Sequence, residues 1–149
     1  MVSSPSEPSR RRLVVATTTP DKLREIRLIL SGLDVEVASL RSYPAVAEPV
    51  EHGATFLDNA RAKALHYAEA TGEMVVAEDS GLEVDALNGE PGPLSARYGD
   101  RKSDAERVTF LLSRLHGVPW DKRSARFRCV IAIGMASRIV GLCEDECSG

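Results

Sequence analysis

The stretch RLVVATTTPDKLREI (12–26) constrains this chain more than any other, because it runs a strand into a helix with only a few hydroxyl residues between. Residues 12–18 form a short β-branched run, the pattern of a buried strand. Thr19 is a good N-cap and Pro20 suits the first helical position. Leu23, Ile26, Ile29 and Leu30 then recur at helical spacing, and Ser31-Gly32 ends the helix. A strand feeding a helix needs further strands to pair with, and the rest of the chain supplies them.

Residues 33–39 alternate like a half-buried strand, and 40–53 are an irregular excursion. Thr55 to Thr71 is an alanine-rich helix closed by Gly72. MVVAE (74–78) and LEVDAL (82–87) are two strands with an Asp-Ser-Gly turn expected between them. Residues 88–93 form a loop and Ser103 to His116 a third helix. The segment 124–136 is a long strand, with 138–143 placed to pair with it. Trp120, after Val118-Pro119, is expected to anchor a loop by packing. The fold class is therefore α/β, with a mixed or largely parallel sheet. A length of 149 residues suits one domain, read as 12–149, behind a flexible tail at 1–11 that carries Arg10, Arg11 and part of an arginine cluster.

Composition excludes some functions. A net charge of −3 argues against nucleic-acid binding as the main task. No apolar run approaches a membrane span, so no membrane partner is expected. Three cysteines, Cys129, Cys143 and Cys147, make no disulfide framework and point to a reducing cytoplasmic compartment; a metal clip between Cys143 and Cys147 has little in its favour.

Three places carry chemistry. The first is the helix start after residue 16, where Thr17, Thr18, Thr19 and Lys22 offer hydroxyls, backbone N–H groups and a positive charge. Either it is a plain N-cap with an exposed lysine, or it binds phosphate. No Walker A or G-x-G-x-x-G motif occurs. The second is EHGATFLDNARAKA (51–64), where Asn59 and Lys63 share a helix face and Glu51 precedes the same end. Solvated surface is the alternative. The third is Glu78-Asp79-Ser80-Gly81, either a turn or an acidic site at a strand end. Together they supply what pyrophosphate chemistry requires, with Mg²⁺ the natural cation because it binds one or two carboxylates plus substrate phosphates. Arg97, Arg126 and Arg128 either line a cleft or serve surface contacts.

VVATTTPDKLREI (14–26), EHGATFLDNARAKA (51–64), AEDSGLEVDALNGEPGPLSARY (77–98) and RSARFRCVIAI (123–133) occur in an order and spacing that resemble one known family. The chain is similar to the noncanonical purine nucleoside triphosphate pyrophosphatases, the inosine triphosphate pyrophosphatase or Ham1-like family, over residues 13–135. The resemblance implies an elongated mixed β-sheet flanked by helices, with two lobes around a cleft, and a homodimer. It implies Mg²⁺-dependent hydrolysis of the purine nucleoside triphosphates ITP, dITP and XTP to the monophosphate and pyrophosphate, cleansing the nucleotide pool. By position, Thr17, Thr18, Thr19 and Lys22 would form the triphosphate-binding turn. Lys63 would be a second phosphate contact positioned by Asn59, and Ser80 would touch substrate. Glu51 and Asp79 would hold the metal, Glu78 would support its water shell, and Asp79 would accept the proton of the attacking water.

The sequence departs from the family pattern in several places. Thr18 and Thr19 stand where glycine and asparagine are usual, Asp21 where glycine or a basic residue is common, and Leu94 where an aromatic is usual. The family's Gly-Phe-Gly-Tyr-Asp-Pro and Ser-His-Arg segments, which grip the base, do not occur in these 149 residues. The expectation is a domain incomplete at its C-terminus, with CEDECSG lacking a strong family counterpart and the strand from Ala125 to Ala136 left with uncovered apolar surface. It is then either an active pyrophosphatase or an impaired paralogue that only binds nucleotide or dimerises.

Overall fold

Strand β3 (Met74–Val84) is the spine of the molecule, and it is where the sequence reading needs correction. The computed structural model describes residues 10–149. Residues 74–84 form one unbroken strand of 11 residues, not two strands around an Asp-Ser-Gly turn. The local turn preference of those residues is overridden by pairing: β4 (Ala125–Met135) runs antiparallel to β3 along its length, with Asp79 opposite Val130 and Ser80 opposite Cys129. Gly81 is needed there for space. A Cβ on it would come within 2.4 Å of Ser95 Oγ and 2.7 Å of the Gly92 carbonyl oxygen.

The sheet has five strands in the order β2-β1-β3-β4-β5. β1 (Arg11–Val15) is parallel to both β2 (Val35–Ser39) and β3, and β5 (Arg138–Ser148) is antiparallel to β4. The sheet is thus mixed and flanked by helices, as expected. Parallel pairing of β1 with β3 stops at Val15 and Val76. Past that point β3 continues with β4 as its neighbour on one side and, among the described residues, no strand on the other.

Helix α1 (Pro20–Ile29) joins β1 to β2, with Thr19 at the N-cap position and Pro20 first, as read. Its apolar stripe is narrower than expected: Ile29 is 79% exposed, and no α1 residue is fully buried. Helix α2 (Phe56–Thr71) joins β2 to β3 and ends as the sequence indicates, with the Thr55 hydroxyl accepting from the Asp58 N–H and Gly72 at φ 69°. Its small residues Ala60, Ala64 and Ala68 are fully buried, packing on Ala77, Val130 and Ala132 or on Val14 and Val75. Small side chains on both surfaces let helix and sheet approach closely. Gly134 marks the tightest point, since a Cβ there would sit 2.6 Å from the Ala64 carbonyl oxygen.

Between β3 and β4 the chain forms 3₁₀ turns at Asp85–Leu87 and Gly92–Asp100, helix α3 (Asp104–Arg114), and a last turn at Trp120–Lys122. Ser103 and Glu106 close a reciprocal capping box at the start of α3. A small core of Val84, Leu87 and Leu115 ties this excursion to the sheet.

Three further expectations are corrected. Trp120 is 86% exposed and anchors nothing by burial. CEDECSG is strand: Cys143 through Ser148 lie within β5, held by register to Arg126–Ile131 and by Arg128 pairing with Glu144 and Glu146. Of the tail at 1–11, residues 1–9 lie outside the described residues, while Arg11 begins β1. On β4, the side chains that alternate away from α2 include Phe127, Ile131 and Met135, all exposed, as the reading of residues 125–136 anticipated.

Candidate active site

The site is built where β3 runs past the end of β1. Side chains alternate along a strand, so adjacent Glu78 and Asp79 leave β3 on opposite faces. Asp79 points toward α2, among Ala77, Gly81 and the other buried alternates. Glu78 points toward α1.

On the α2 side, Asp79 is 8% exposed and Asn59 only 1%. Asn59 Nδ2 donates to Asp79 Oδ2 at 3.0 Å, and Asn59 Oδ1 accepts from the Gly53 N–H at 2.8 Å. One buried amide thus fixes the carboxylate and the loop before α2 together. Gly53 has no room for a side chain, as a Cβ would fall 2.3 Å from Asn59 Oδ1. Lys63, one turn on from Asn59, places Nζ 2.8 Å from Glu51 Oε1 and 3.8 Å from Asp79 Oδ1. Arg97 Nη2 donates to the Glu51 carbonyl at 3.3 Å, so this arginine belongs to the site's border. Arg126 and Arg128 do not: they pair with Asp85, Glu83, Glu144 and Glu146.

Burial pushes the Asp79 carboxyl above its ordinary value. The Asn59 hydrogen bond and the Lys63 charge oppose this, while Glu51 and Glu78 reinforce it. A carboxylate raised in this way, yet held by a donor and faced by a lysine, is suited to take up a proton.

Thr17, Thr18, Glu51, Lys63 and Tyr67 line a cleft of about 190 Å³ on this side. The sequence reading missed Tyr67 and Glu48 as lining residues. Tyr67 was detectable, since it lies four residues after Lys63 and so shares its helix face. Its phenol is pushed up by burial, then by Glu48 and Glu51.

On the α1 side, Lys22 pairs with Glu78. Burial raises the Glu78 carboxyl, but the hydrogen bond and charge of Lys22 outweigh it, with Ser80 and Cys129 adding hydrogen bonds, and it rests below its ordinary value. The Cys129 thiol, beside it, is pushed up to about 11 by burial and by Glu78. Thr17 borders both this hollow and the cleft. The structure therefore brings Thr17, Thr18, Glu51, Asn59, Lys63 and Asp79 together. It sets Lys22, Glu78 and Ser80 on the other face of β3. Thr19 caps α1 by position only: its side chain makes no capping bond, and its N–H donates to Thr17 Oγ1 at 3.1 Å.

Hard carboxylate oxygens and a lysine lie beside a hydroxyl-rich turn at the carboxyl end of a parallel strand of this α/β protein, a donor set of the kind that suits phosphate. The comparisons make this specific. The model of the Ham1 family matches residues 13–149. A dITP/XTP pyrophosphatase from Desulforamulus reducens is 48% identical over 139 residues, covering 93% of this chain and 69% of that protein. A HAM1 protein from Coxiella burnetii superposes with a TM-score of 0.86 at 35% identity, covering 93% of this chain and 72% of the other. A nucleoside-triphosphatase / dITP/XTP pyrophosphatase from Mycobacterium abscessus does so with a TM-score of 0.81 at 38% identity, covering 93% and 71%. The chain belongs to the Ham1 family, and by descent its enzyme class is the nucleoside triphosphate pyrophosphatases. The family match extends through β5, so CEDECSG lies within the matched residues.

Proposed function

We propose that this protein hydrolyses the noncanonical purine nucleoside triphosphates ITP, dITP and XTP to the monophosphate and pyrophosphate, with Mg²⁺, as a cytoplasmic homodimer. The observation that carries the reading is Lys63 held between Glu51 and Asp79, with Asn59 fixing Asp79 from behind. Relatives named dITP/XTP pyrophosphatase support the substrate class.

The donor set fits magnesium. Among the described residues no three His, Cys, Asp or Glu side chains converge on a point that could hold a metal ion. Two carboxylates sharing one lysine are what a cation that also takes oxygens from substrate phosphates needs. Glu51 and Asp79 would hold it, and when bound it would supply charge neutralisation for the phosphates. Lys63 pairs with phosphate oxygens once a substrate displaces it from Glu51. Thr17 and Thr18 donate to the same group from the turn. Asp79 accepts the proton of the water as its oxygen bonds to the α-phosphorus, the α–β anhydride bond breaks, and the pyrophosphate leaves with the electron pair.

The test is pyrophosphate release from dITP, XTP and dGTP with and without Mg²⁺, alongside Asp79→Asn and Lys63→Ala. Mg²⁺-dependent turnover of dITP and XTP, lost in Asp79→Asn, is the expected result. Nucleotide binding without Mg²⁺-dependent turnover would instead identify an impaired paralogue. Light scattering of the purified protein, expected at twice the chain mass, tests the dimer.

A further inference from the structure

Strand β1 leaves the sheet through α1 on one face, while its neighbour β2 leads to α2 on the other. The chain therefore parts at the carboxyl ends of β1 and β2, the place where open α/β sheets put ligands. The cleft with Lys63 and Glu51 occupies the α2 side of that parting. A second pocket of about 190 Å³ occupies the α1 side, lined by Thr17, Thr18 and Ser39 and by three arginines, Arg24, Arg27 and Arg41.

The arginines are poorly compensated. Arg41 Nη2 donates to the Thr18 carbonyl at 3.2 Å, and Arg27 Nη2 to the Val37 carbonyl at 3.3 Å. Among the described residues neither has a carboxylate partner. Arg24 has one, Asp21 at 3.2 Å, and both of those side chains are about three-quarters exposed (73% and 76%), where such a pair is weak. The start of α1 faces the same space, and the Thr19 side chain leaves its first N–H groups uncapped. Forked guanidinium donors, hydroxyls and free helix N–H groups around one hollow suit a multiply charged oxyanion.

We propose that this pocket is a second anion site that binds inorganic pyrophosphate, separate from the cleft but sharing Thr17 and Thr18 with it. That the anion is pyrophosphate, rather than another oxyanion, rests on the reading of the cleft given above. The shared turn lets the group released in the cleft pass to the arginines without leaving the protein surface.

Isothermal titration of the full chain with inorganic pyrophosphate, in the absence of Mg²⁺, reads the site without turnover. The double variant Arg27→Gln/Arg41→Gln is expected to weaken it by about tenfold or more, as loss of charge-assisted hydrogen bonds does. Lys63→Gln, in the cleft, is expected to remove any binding to the cleft itself and to leave the arginine-dependent binding within about twofold, as for a separate site. Arg24→Gln, on the surface of α1, is a substitution that folding tolerates and is expected to weaken binding by about threefold. Orthophosphate binding more weakly through the same arginines also supports the site. Binding that needs Lys63 but not the arginines, no binding at millimolar pyrophosphate, or dITP depending on these arginines more than on Lys63 would each overturn it. Failure of dITP and XTP hydrolysis would sink the proposed function and leave this binding result standing.

Discussion

Glu78 and Asp79 are neighbours in sequence, yet they answer to different partners on opposite faces of one strand: Glu78 to Lys22, Asp79 to Asn59. Their mutual repulsion is reduced by that separation. At Glu78 the Lys22 hydrogen bond and charge outweigh burial and hold the carboxyl below its ordinary value, whereas at Asp79 burial outweighs Asn59 and Lys63 and holds it above.

Asn59→Ala removes the donor to Asp79 and the acceptor of the Gly53 N–H in one step. Two buried polar groups lose partners, which costs about 2 kcal/mol. Urea unfolding is expected to show that loss, and dITP turnover is expected to fall further than stability alone explains.

Asp79→Asn tests the sign of the Asp79 shift. Its folded-state pKa lies above the unfolded value, ordinarily about 3.9. The ionised carboxylate is thus disfavoured by folding: the stabilisation by its protonated form is complete below the unfolded pKa and lost as pH rises through the folded one. Without Mg²⁺, the melting temperature of Asp79→Asn relative to the parent is expected to rise between pH 3 and pH 7. At neutral pH, Mg²⁺ is expected to raise the parent's melting temperature and not the variant's.

Gly134→Ala places a methyl against the backbone of α2 at Ala64. Overpacking of this kind costs about 1–3 kcal/mol. Because α2 carries Asn59 and Lys63, the variant is also expected to need more Mg²⁺ for half-maximal activity, measured by titration at fixed dITP.

Cys129 is half-buried with its thiol at about 11, whereas Cys143 and Cys147 are exposed. At pH 8 only on the order of one Cys129 thiol in a thousand is thiolate, so alkylation there is slow. Mass spectrometry after brief iodoacetamide treatment is expected to show Cys143 and Cys147 modified and Cys129 intact.

Much of this architecture was legible before any coordinates. The limits of α2 are written by Thr55 and Gly72, and the start of α3 by Ser103 and Glu106. What could not be read was decided by distant partners. Asp79-Ser80-Gly81 has the local chemistry of a turn, but Val130, Cys129 and Arg128 pair with it as strand. The charges of CEDECSG discourage strand in isolation, but Arg128 draws Glu144 and Glu146 onto β4. The grouping of Glu51, Asn59, Lys63 and Asp79 followed from helix spacing and family likeness. The placing of Glu78 and Ser80 away from them did not, because it depends on β3 being continuous. Trp120 shows the limit of residue type as a guide: a large aromatic ring lies almost wholly in solvent.

The unbroken course of β3 also decides which evolutionary changes the protein can tolerate. Successive residues face opposite ways, so one residue gained or lost between Val76 and Glu78 would exchange the faces of the two acids, turning Glu78 toward Asn59 and Asp79 toward α1. Two residues would restore the faces but shift the acid by about 7 Å along the strand, out of reach of Lys63. Some substitutions around Asp79 can be tolerated, but a change in the length of this segment cannot.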